Sequence, residues 1–300
     1  MQIYHSSQFR VKNFRQNVAT LTKETSVSHL QNTLKNIVGA RHYSFNPQHN
    51  NFVKEWIATQ LTDYGYSVYL QGKYGNIVAL PQNVDSAVIV IAAHYDSIAE
   101  SPGADDNGSA VAALVECARV LAQCSIPVCF VAFNCEEDGL LGSYDFVENL
   151  NHFPYEVKYV HVLEMVGFCS YEENSQEIPA GIPIENVRIG DFIALVGDQH
   201  SGEQLTNTLQ SIATYSPNLP ALGLLVDSIS QSFLHILKRS DHFPFWQAQI
   251  PALMWTDTAE YRNPHYHKKT DTIDTIDFDF LQKVTESVVA CVLEQSLSDS

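Results

Sequence analysis

Five short segments of this sequence carry histidines and carboxylates at positions where a metal site could form. They are, in chain order, IAAHYDS (His94, Asp96), PGADDNGSA (Asp105, Asp106), EEDGLLGS (Glu136, Glu137), LEM (Glu164) and NPHYH (His265, His267). Imidazole and carboxylate groups suit catalytic zinc, whereas structural zinc sites favour cysteine ligands. Because these groups outnumber the ligands of one tetrahedral ion, two ions are favoured over one.

Each segment also has a simpler explanation when it is considered alone. His94 and Asp96 could be an ordinary hydrogen-bonded pair, and Asp106 could cap the helix that follows it. Glu136 and Glu137 could lie in a solvated loop. A metal site is favoured because four of these segments follow predicted strands, so that their polar groups would meet at one edge of a sheet.

The elements that must position these residues alternate along the chain. Seven apolar or β-branched runs predict strands: YSVYL, GNIVALP, SAVIVIAAH, PVCFVAF, VKYVHVLEM, DFIALVG and PALMWT. Apolar residues at helical spacing predict helices over 27–38, 50–62, 108–123, 202–215 and 278–296. We therefore predict an α/β fold of three layers, α/β/α, with a central mixed, mainly parallel sheet. The segment SDH at 240–242 should open a short helix, and residues 171–188 should form an irregular surface loop.

Length and composition limit the class of protein. We expect the 300 residues to form a single domain, with residues 1–25 as a peripheral N-terminal segment. A formal charge of −17 disfavours binding to nucleic acid and to anionic membranes. No apolar stretch is long enough to span a membrane, and the first residues lack the apolar core of a signal peptide. We therefore expect a cytoplasmic protein, or a periplasmic or secreted one if a leader was removed, with its six cysteines reduced.

The order of the motifs resembles a known family. HYDS, PGADDNGSA, EEDGLLGS, LEM, SDHFPF and NPHYH are similar, in sequence, to the motifs of the co-catalytic zinc aminopeptidase and glutaminyl cyclase family, and most similar to its aminopeptidase branch. Each motif alone is weak, but the set covers most of the chain and is specific in its order. The resemblance implies a zinc exopeptidase fold and an aminopeptidase that hydrolyses the N-terminal residue of peptides through a metal-bridging water. The implied partner is a peptide with a free N-terminus, and the oligomeric state stays open.

The resemblance also implies a role for each matching residue. His94 and Glu164 would bind one zinc ion, Glu137 and His267 the other, and Asp105 would bridge them, with a cis peptide bond between Asp105 and Asp106. Glu136 would be the general base. The remaining assignments are Asp96 and Asp241 as residues that orient ligands, and Phe168, Tyr261 and Arg262 as candidate substrate contacts. Trp255 could line the same pocket, but packing in the strand or the core is the favoured use of this residue.

Three positions depart from the family pattern or leave a choice open. His267 is preferred to His265 because of its spacing to Thr270-Asp271-Thr272. Glu164 stands where many members have aspartate. Leu237 stands where some members place a tyrosine that polarises the carbonyl, and Tyr261 is a candidate substitute for it.

Three other functions compete with the aminopeptidase interpretation. A glutaminyl-peptide cyclotransferase would use a single zinc ion and commonly has tryptophan before the last ligand histidine, where this chain has Tyr266. A carboxypeptidase would need an arginine for the substrate carboxylate, which Arg262 or Arg239 could supply. A catalytically silent binding domain is disfavoured, because such relatives usually lose ligands and this chain keeps a complete set.

Overall fold

The sheet at the centre of the fold holds the chemistry-bearing residues at its strand ends. The computed structural model describes residues 1–82, 86–226 and 236–297. Its strands are β1 (Gln2–His5), β2 (Ser67–Gln71), β3 (Asn76–Leu80), β4 (Val88–His94), β5 (Val128–Phe133), β6 (Val157–Glu164), β7 (Ile193–Asp198), β8 (Ala221–Val226) and β9 (Ala252–Thr256). Across the sheet they are ordered β1-β8-β7-β9-β6-β4-β5-β3-β2.

The middle of the sheet is parallel and its margins are antiparallel. Strand β4 pairs in parallel with both β5 and β6, and β6 pairs in parallel with β9. A further parallel pair, β7 with β8, is joined to the centre through the antiparallel contact of β7 with β9. Strands β1, β2 and β3 pair antiparallel to their neighbours. The four central strands β4, β5, β6 and β9 therefore end at the same edge.

Helices cover both faces of this sheet. In the described residues they are α1 (Gln16–Thr22), α2 (Val27–Ile37), α3 (Pro47–Asp63), α4 (Ala110–Leu121), α5 (Leu141–Glu148), α6 (Gly202–Tyr215), α7 (His242–Gln247) and α8 (Phe278–Leu297). Alternate residues of β4 show the two faces, since Ile89 and Ile91 pack with the cluster that includes α2, α4 and α8. Val88 and Val90 pack with the cluster that includes α5 and α7. A strand buried on both faces is expected to be apolar, as β4 is from Val88 to Ala93.

The predicted α/β architecture is confirmed. Each of the seven predicted strands and five predicted helices has a counterpart, and the short helix predicted at SDH is α7. Residues 171–188 contain no helix or strand, as predicted. Strands β1 and β8 and helices α1 and α5 were not predicted. The N-terminal residues supply the edge strand β1, which pairs with β8.

Two expectations about the whole chain can be compared with the structure. All six cysteines are free thiols. Among the helices of the described residues, none combines the length and the apolar character needed to cross a membrane.

One buried histidine of β6 contributes to stability without belonging to the polar edge. The Trp255 Nε1–H donates to His161 Nδ1 at 3.0 Å, and His161 Nε2 lies 2.9 Å from Gln295 Oε1. Burial lowers the pKa of His161 to about 4. The imidazole is therefore neutral in the folded protein, with one nitrogen accepting and the other donating.

We expect His161 to make stability fall as the pH is lowered from about 6.5 to about 4. In this window the unfolded chain binds a proton that the folded chain excludes, so unfolding is favoured by up to about 1.4 kcal/mol per pH unit. Urea unfolding of the wild type and of His161→Gln at several pH values should show this extra loss in the wild type only. His200→Gln, at an exposed histidine, is the control. Parallel pH profiles for the wild type and His161→Gln would contradict the assignment.

Candidate metal centre

The ends of the four central strands bring acids and a histidine together. Strand β4 ends at His94 and β6 ends at Glu164. Glu136 and Glu137 lie just beyond the end of β5, and Asp257 directly follows β9. The predicted convergence of these segments at one sheet edge is therefore observed.

Three carboxylates surround the imidazole of His94. Its Nε2 lies 3.5 Å from Glu164 Oε2, 3.6 Å from Asp106 Oδ1 and 3.8 Å from Glu136 Oε2. His94 is only 1% exposed, and neither ring nitrogen makes a hydrogen bond within the described part of the chain. A buried imidazole with unpaired nitrogens among carboxylate oxygens fits a bound cation, because nitrogen and oxygen donors are what zinc takes in catalytic sites.

A second group forms around His267. Its Nε2 lies 3.2 Å from Asp106 Oδ2 and 3.2 Å from Glu137 Oε2. The other oxygen of Glu137, Oε1, accepts a hydrogen bond from the Ile98 N–H at 3.1 Å. Within each group, His94-Glu136-Glu164 and Asp106-Glu137-His267, one ligand atom per residue lies within 4.8 Å of the others.

Asp106 joins the two groups, and this corrects the sequence-based assignment of Asp105. One oxygen of Asp106 points to His94 and the other to His267. The carboxylate of Asp105 lies elsewhere: its Oδ1 accepts from the Gly167 N–H at 2.9 Å and its Oδ2 from Asn263 Nδ2 at 2.6 Å. The cis peptide bond predicted between Asp105 and Asp106 is likewise one residue later, between Asp106 and Asn107.

The turn that carries Asp106 is fixed from two sides. Gly103 has a φ of +65°, and a Cβ there would lie 2.5 Å from the Asp106 carbonyl oxygen, so only glycine fits. The fully buried guanidinium of Arg41 donates to the carbonyls of Pro102 and Gly103 at 2.7 and 2.8 Å. From the opposite side, the carboxylate of Asp271 accepts the backbone N–H groups of both aspartates at 2.9 and 3.1 Å. The backbone thus decides which aspartate faces the histidines.

Neighbouring polar groups hold the other side chains in place. Asp96 accepts the backbone N–H groups of Glu136 and Glu137 at 3.2 and 3.3 Å, and it lies 3.4 Å from His94 Nδ1. It is therefore placed to orient the histidine and the acidic turn together. Asp241 is fully buried at the start of α7, and the Ser240 hydroxyl donates to Glu164 Oε2 at 2.7 Å.

The buried carboxylates at this sheet edge create an electrostatic environment that favours a bound cation. Burial raises the pKa of Glu136 well above its usual value, and burial with Asp106 raises that of Glu137 to about 7. Burial also raises the pKa of Asp241 to about 7. Burial opposes protonation of His267, but Asp106 and Glu137 outweigh it and raise its pKa to about 10. A bound divalent cation would stabilise the ionised form of carboxylates whose pKa values are raised in this way, so the cluster favours such an ion.

The candidate substrate contacts have different surroundings. Tyr261 lines an apolar pocket next to Glu164, as does Leu237. Phe168 instead packs edge-on against His265 at 6.1 Å, and His265 lies outside both ligand groups, with its Nδ1 2.9 Å from Thr270 Oγ1.

Two further aromatic or cationic candidates lie in the interior. Arg262 is 6% exposed, and its Nε donates to Gln176 Oε1 at 2.8 Å. Trp255 is fully buried, so it contributes to the core rather than to a pocket.

The pocket is formed by one face of the sheet and by the irregular segment. Strand residues of β7, β8 and β9 line it, and Ile178, Pro179, Ile182 and Ile184 of the predicted surface loop complete it. Glu164 and Ser240 belong to the same lining, so the pocket opens beside the first ligand group. The sequence predicted that this segment is an irregular loop, but it did not indicate that the segment forms one wall of the pocket.

Sequence reasoning missed the residues that support Asp105. Asn263 donates to Asp105, and burial together with the nearby Asp105 raises the pKa of Asp257 well above its usual value. The signals were present, since Asp257 directly follows the strand PALMWT and Asn263 opens the motif NPHYH. Its position at the end of a predicted strand was sufficient to identify Asp257 as a candidate site residue.

Comparison with known proteins identifies relatives over most of the chain. The family model described as peptidase family M28 matches residues 76–292. The uncharacterized protein YfbL of Escherichia coli is 36% identical over 238 residues, covering 73% of this chain and 70% of YfbL.

Two solved structures show the same architecture. LapB from Legionella pneumophila superposes with a TM-score of 0.77 at 21% identity, covering 98% of this chain and 78% of LapB. BSAP, a zinc aminopeptidase from Bacillus subtilis, is 27% identical with a TM-score of 0.55, covering 73% of this chain and 50% of BSAP. The chain thus spans only half the length of BSAP.

The two adjacent aspartates should differ in their effect on zinc binding. We expect Asp106→Asn to weaken zinc binding by more than the roughly 10- to 100-fold typical of losing a supporting residue. Asp105→Asn should weaken it by no more than that, because its carboxylate faces Gly167 and Asn263. Competition with a chromogenic chelator would measure both, after circular dichroism shows that both variants are folded. A larger loss of zinc affinity in Asp105→Asn than in Asp106→Asn would instead support Asp105 as the bridging residue.

Proposed function

This chain belongs to peptidase family M28, and we propose that it is an aminopeptidase that uses two zinc ions to hydrolyse the N-terminal bond of peptides. The observation that carries the proposal is the pair of ligand groups that share the carboxylate of Asp106. A single tetrahedral ion would not use both groups. The named function of BSAP, a zinc aminopeptidase, supports the same metal and the same class of reaction.

The proposed ligands combine the distances in the two groups with the roles that the family resemblance implies, in which Glu136 is the general base. His94 and Glu164 would hold one ion, Glu137 and His267 the other, and Asp106 would contact both. When bound, the zinc ions supply Lewis acidity toward the scissile carbonyl and the attacking water. Asp96 orients His94 and the acidic turn through the contacts described above.

Glu136 is the residue that moves a proton in this proposal. It is buried among the ligands, with its Oε2 3.8 Å from His94 Nε2, and its own N–H is fixed by Asp96. Burial and the acids around it raise its pKa well above the usual value, which suits a carboxylate that accepts a proton and returns it. It would take the proton of the attacking water and pass it to the leaving amine.

The charges around the pocket favour a substrate amine over a carboxylate. Glu164, Glu177 and Glu260 line the pocket together with Arg239. Arg239 is already paired with Glu260. Arg262, the other candidate for a carboxypeptidase, is buried against Gln176 and stacks on Phe192. Arg262 Nη2 has no hydrogen-bond partner among the described residues, but Arg262 is buried and does not line the pocket. Recognition of a free N-terminus is therefore the better match.

The pocket wall favours an apolar first residue. Ala194, Val196, Leu222, Leu224 and Met254 present the sheet face to the pocket. Burying an aliphatic side chain there would contribute about 1.5–3 kcal/mol. We propose that the side chain of the substrate's first residue lies in this pocket, beside Glu164.

We expect Glu136→Gln to lower kcat for a leucine anilide by about 100- to 10,000-fold, because the amide cannot accept the proton. Its zinc content should stay at two equivalents. Asp138→Asn is a matched control in the same acidic turn, since Asp138 pairs with His42 outside both ligand groups. Anilide turnover and metal analysis measure both properties.

The same experiment separates the aminopeptidase from the cyclotransferase. A peptide with N-terminal glutamine should be hydrolysed or left intact by the wild type. One zinc equivalent with cyclisation of this peptide and no anilide turnover would contradict the proposed function.

Narrowing the pocket should change the preference for the first residue. We expect Ala194→Phe to lower kcat/KM for the leucine anilide by about tenfold or more relative to the alanine anilide, because the added ring fills space needed by the larger side chain. The alanine substrate serves as the internal control for folding and metal content. An unchanged ratio of the two kcat/KM values would place the first side chain elsewhere.

A further inference from the structure

Two exposed aromatic rings flank one buried histidine beside the acidic turn of the metal centre. The ring of His42 stacks on Tyr43, with centroids 5.1 Å apart, and contacts the ring of Phe45 at 4.9 Å. His42 is buried, whereas Tyr43 is 37% exposed and Phe45 is 73% exposed. Tyr43 and Phe45 therefore form an aromatic surface that is open to solvent and on which an apolar group can be buried.

The hydrogen bonds of His42 hold this aromatic surface against the acidic turn. The backbone N–H groups of Ser44 and Phe45 donate to His42 Nδ1 at 3.2 and 3.4 Å, so Nδ1 is an acceptor. Nε2 therefore carries the proton and donates to Asp138 Oδ2 at 2.9 Å. Asparagine would also accept this bond, so Asp138→Asn leaves the aromatic surface in place. Asp138 directly follows Glu137, and one hydrogen bond thus joins the aromatic surface to the turn that bears two residues of the ligand groups.

The segment that carries the aromatic surface is also fixed to the turn of Asp106. The Gly39 N–H donates to the Pro102 carbonyl at 2.9 Å, and the guanidinium of Arg41 donates to the same carbonyl at 2.7 Å. Arg41 and His42 are consecutive, so adjacent residues bind the two turns that carry the ligand groups. The aromatic surface therefore keeps a fixed position relative to the metal centre.

The aromatic surface and the apolar pocket lie on opposite sides of the metal centre along the sheet. Strands β7, β8 and β9 line the pocket, whereas the acidic turn follows β5. Strands β6 and β4, which end at Glu164 and His94, lie between β9 and β5. Because neighbouring strands are about 4.8 Å apart, β9 and β5 are separated by about 14 Å, which roughly four extended residues span. A peptide whose first side chain lies in the pocket can thus cross the metal centre and extend toward the aromatic surface.

We propose that Tyr43 and Phe45 bind the part of the peptide that follows the scissile bond, and that they select peptides with apolar or aromatic residues there. The inference rests on the proposed aminopeptidase function and extends it from the first residue to the leaving part of the substrate. Tyr43 and Phe45 then determine specificity, and His42 positions them. A side chain that covers these rings removes apolar area from water and gains contacts with the rings, whereas glycine offers neither.

The first test compares three substrates of the wild type by the initial rate of leucine release. We expect kcat/KM for the peptide Leu-Phe-Phe to exceed that for Leu-Gly-Gly by about 3- to 10-fold, the range expected for contacts with partly exposed rings. Leucine amide has no residue after the scissile bond, so it reports on the metal centre and the pocket alone. It is preferred here to an anilide, whose leaving group is itself aromatic. A Leu-Phe-Phe to Leu-Gly-Gly ratio near one would overturn the inference.

The second test removes the rings one at a time. We expect Phe45→Ser and Tyr43→Ser each to lower kcat/KM for Leu-Phe-Phe relative to leucine amide by about 3- to 10-fold, and Phe45→Leu, which keeps an apolar group, to lower it less. Phe14→Ser is the matched control, because Phe14 is also exposed and its ring stacks on Tyr215 of α6, on the sheet face opposite the pocket. Unchanged ratios in both serine variants, or an equal loss for leucine amide and Leu-Phe-Phe, would show that the rings do not bind the leaving part. A loss in Phe14→Ser as large as in Phe45→Ser would show the same.

The activity of the wild type separates this inference from the function on which it rests. If leucine amide is hydrolysed by the wild type and not by Glu136→Gln, while Leu-Phe-Phe and Leu-Gly-Gly are cleaved equally well, the proposed function stands and only the role of the aromatic surface fails. If the wild type releases leucine from none of the three substrates, both fail together.

Discussion

Asp106 presents one oxygen to His94 and the other to His267, at 3.6 and 3.2 Å, from a position that is almost completely buried. A buried carboxylate is costly unless positive charge or donors surround it. Histidines on two sides, with further acids behind them, provide a setting in which bound cations would offset this cost. The position of the Asp106 carboxylate depends on a rigid turn, because neighbouring hydrogen-bond donors could otherwise draw it away from the histidines. Arg41 and Asp271 provide that rigidity through backbone contacts alone.

The sheet explains why so few residues suffice to build the centre. Parallel pairing of β4 with β5 and β6, and of β6 with β9, brings four strand ends to one edge. Strands β4 and β5 can be apolar almost to their ends because helices cover both faces, and their polar groups appear where the strands stop. Strands β7 and β8, joined to β9 through an antiparallel contact, extend the face that forms the pocket. The core and the chemistry are thus separated along β4 and β5.

Much of this arrangement could be predicted from the sequence, and its failures have physical causes. Strands such as SAVIVIAAH are apolar throughout, so both the strand and the polar residue at its end were evident. The sequence did not show which of Asp105 and Asp106 faces the histidines, because two adjacent acids in an irregular turn have no periodicity to separate them. Long-range contacts decide it, since the Gly167 N–H and the Asn263 side-chain amide donate to the Asp105 carboxylate. In the same way, the sequence of residues 171–188 is irregular, and long-range contacts anchor it as a pocket wall. Arg262 donates to the buried Gln176, and the Glu177 N–H donates to the Tyr261 carbonyl.

The metal centre and the pocket are not independent, because Glu164 belongs to both. Its carboxylate stands 3.5 Å from His94 Nε2 and accepts the Ser240 hydroxyl, and both Glu164 and Ser240 line the pocket. A side chain that enters the pocket therefore lies next to the first ligand group. In the proposed aminopeptidase, this adjacency would place the first side chain of a peptide in the pocket while its scissile bond reaches the ligand groups.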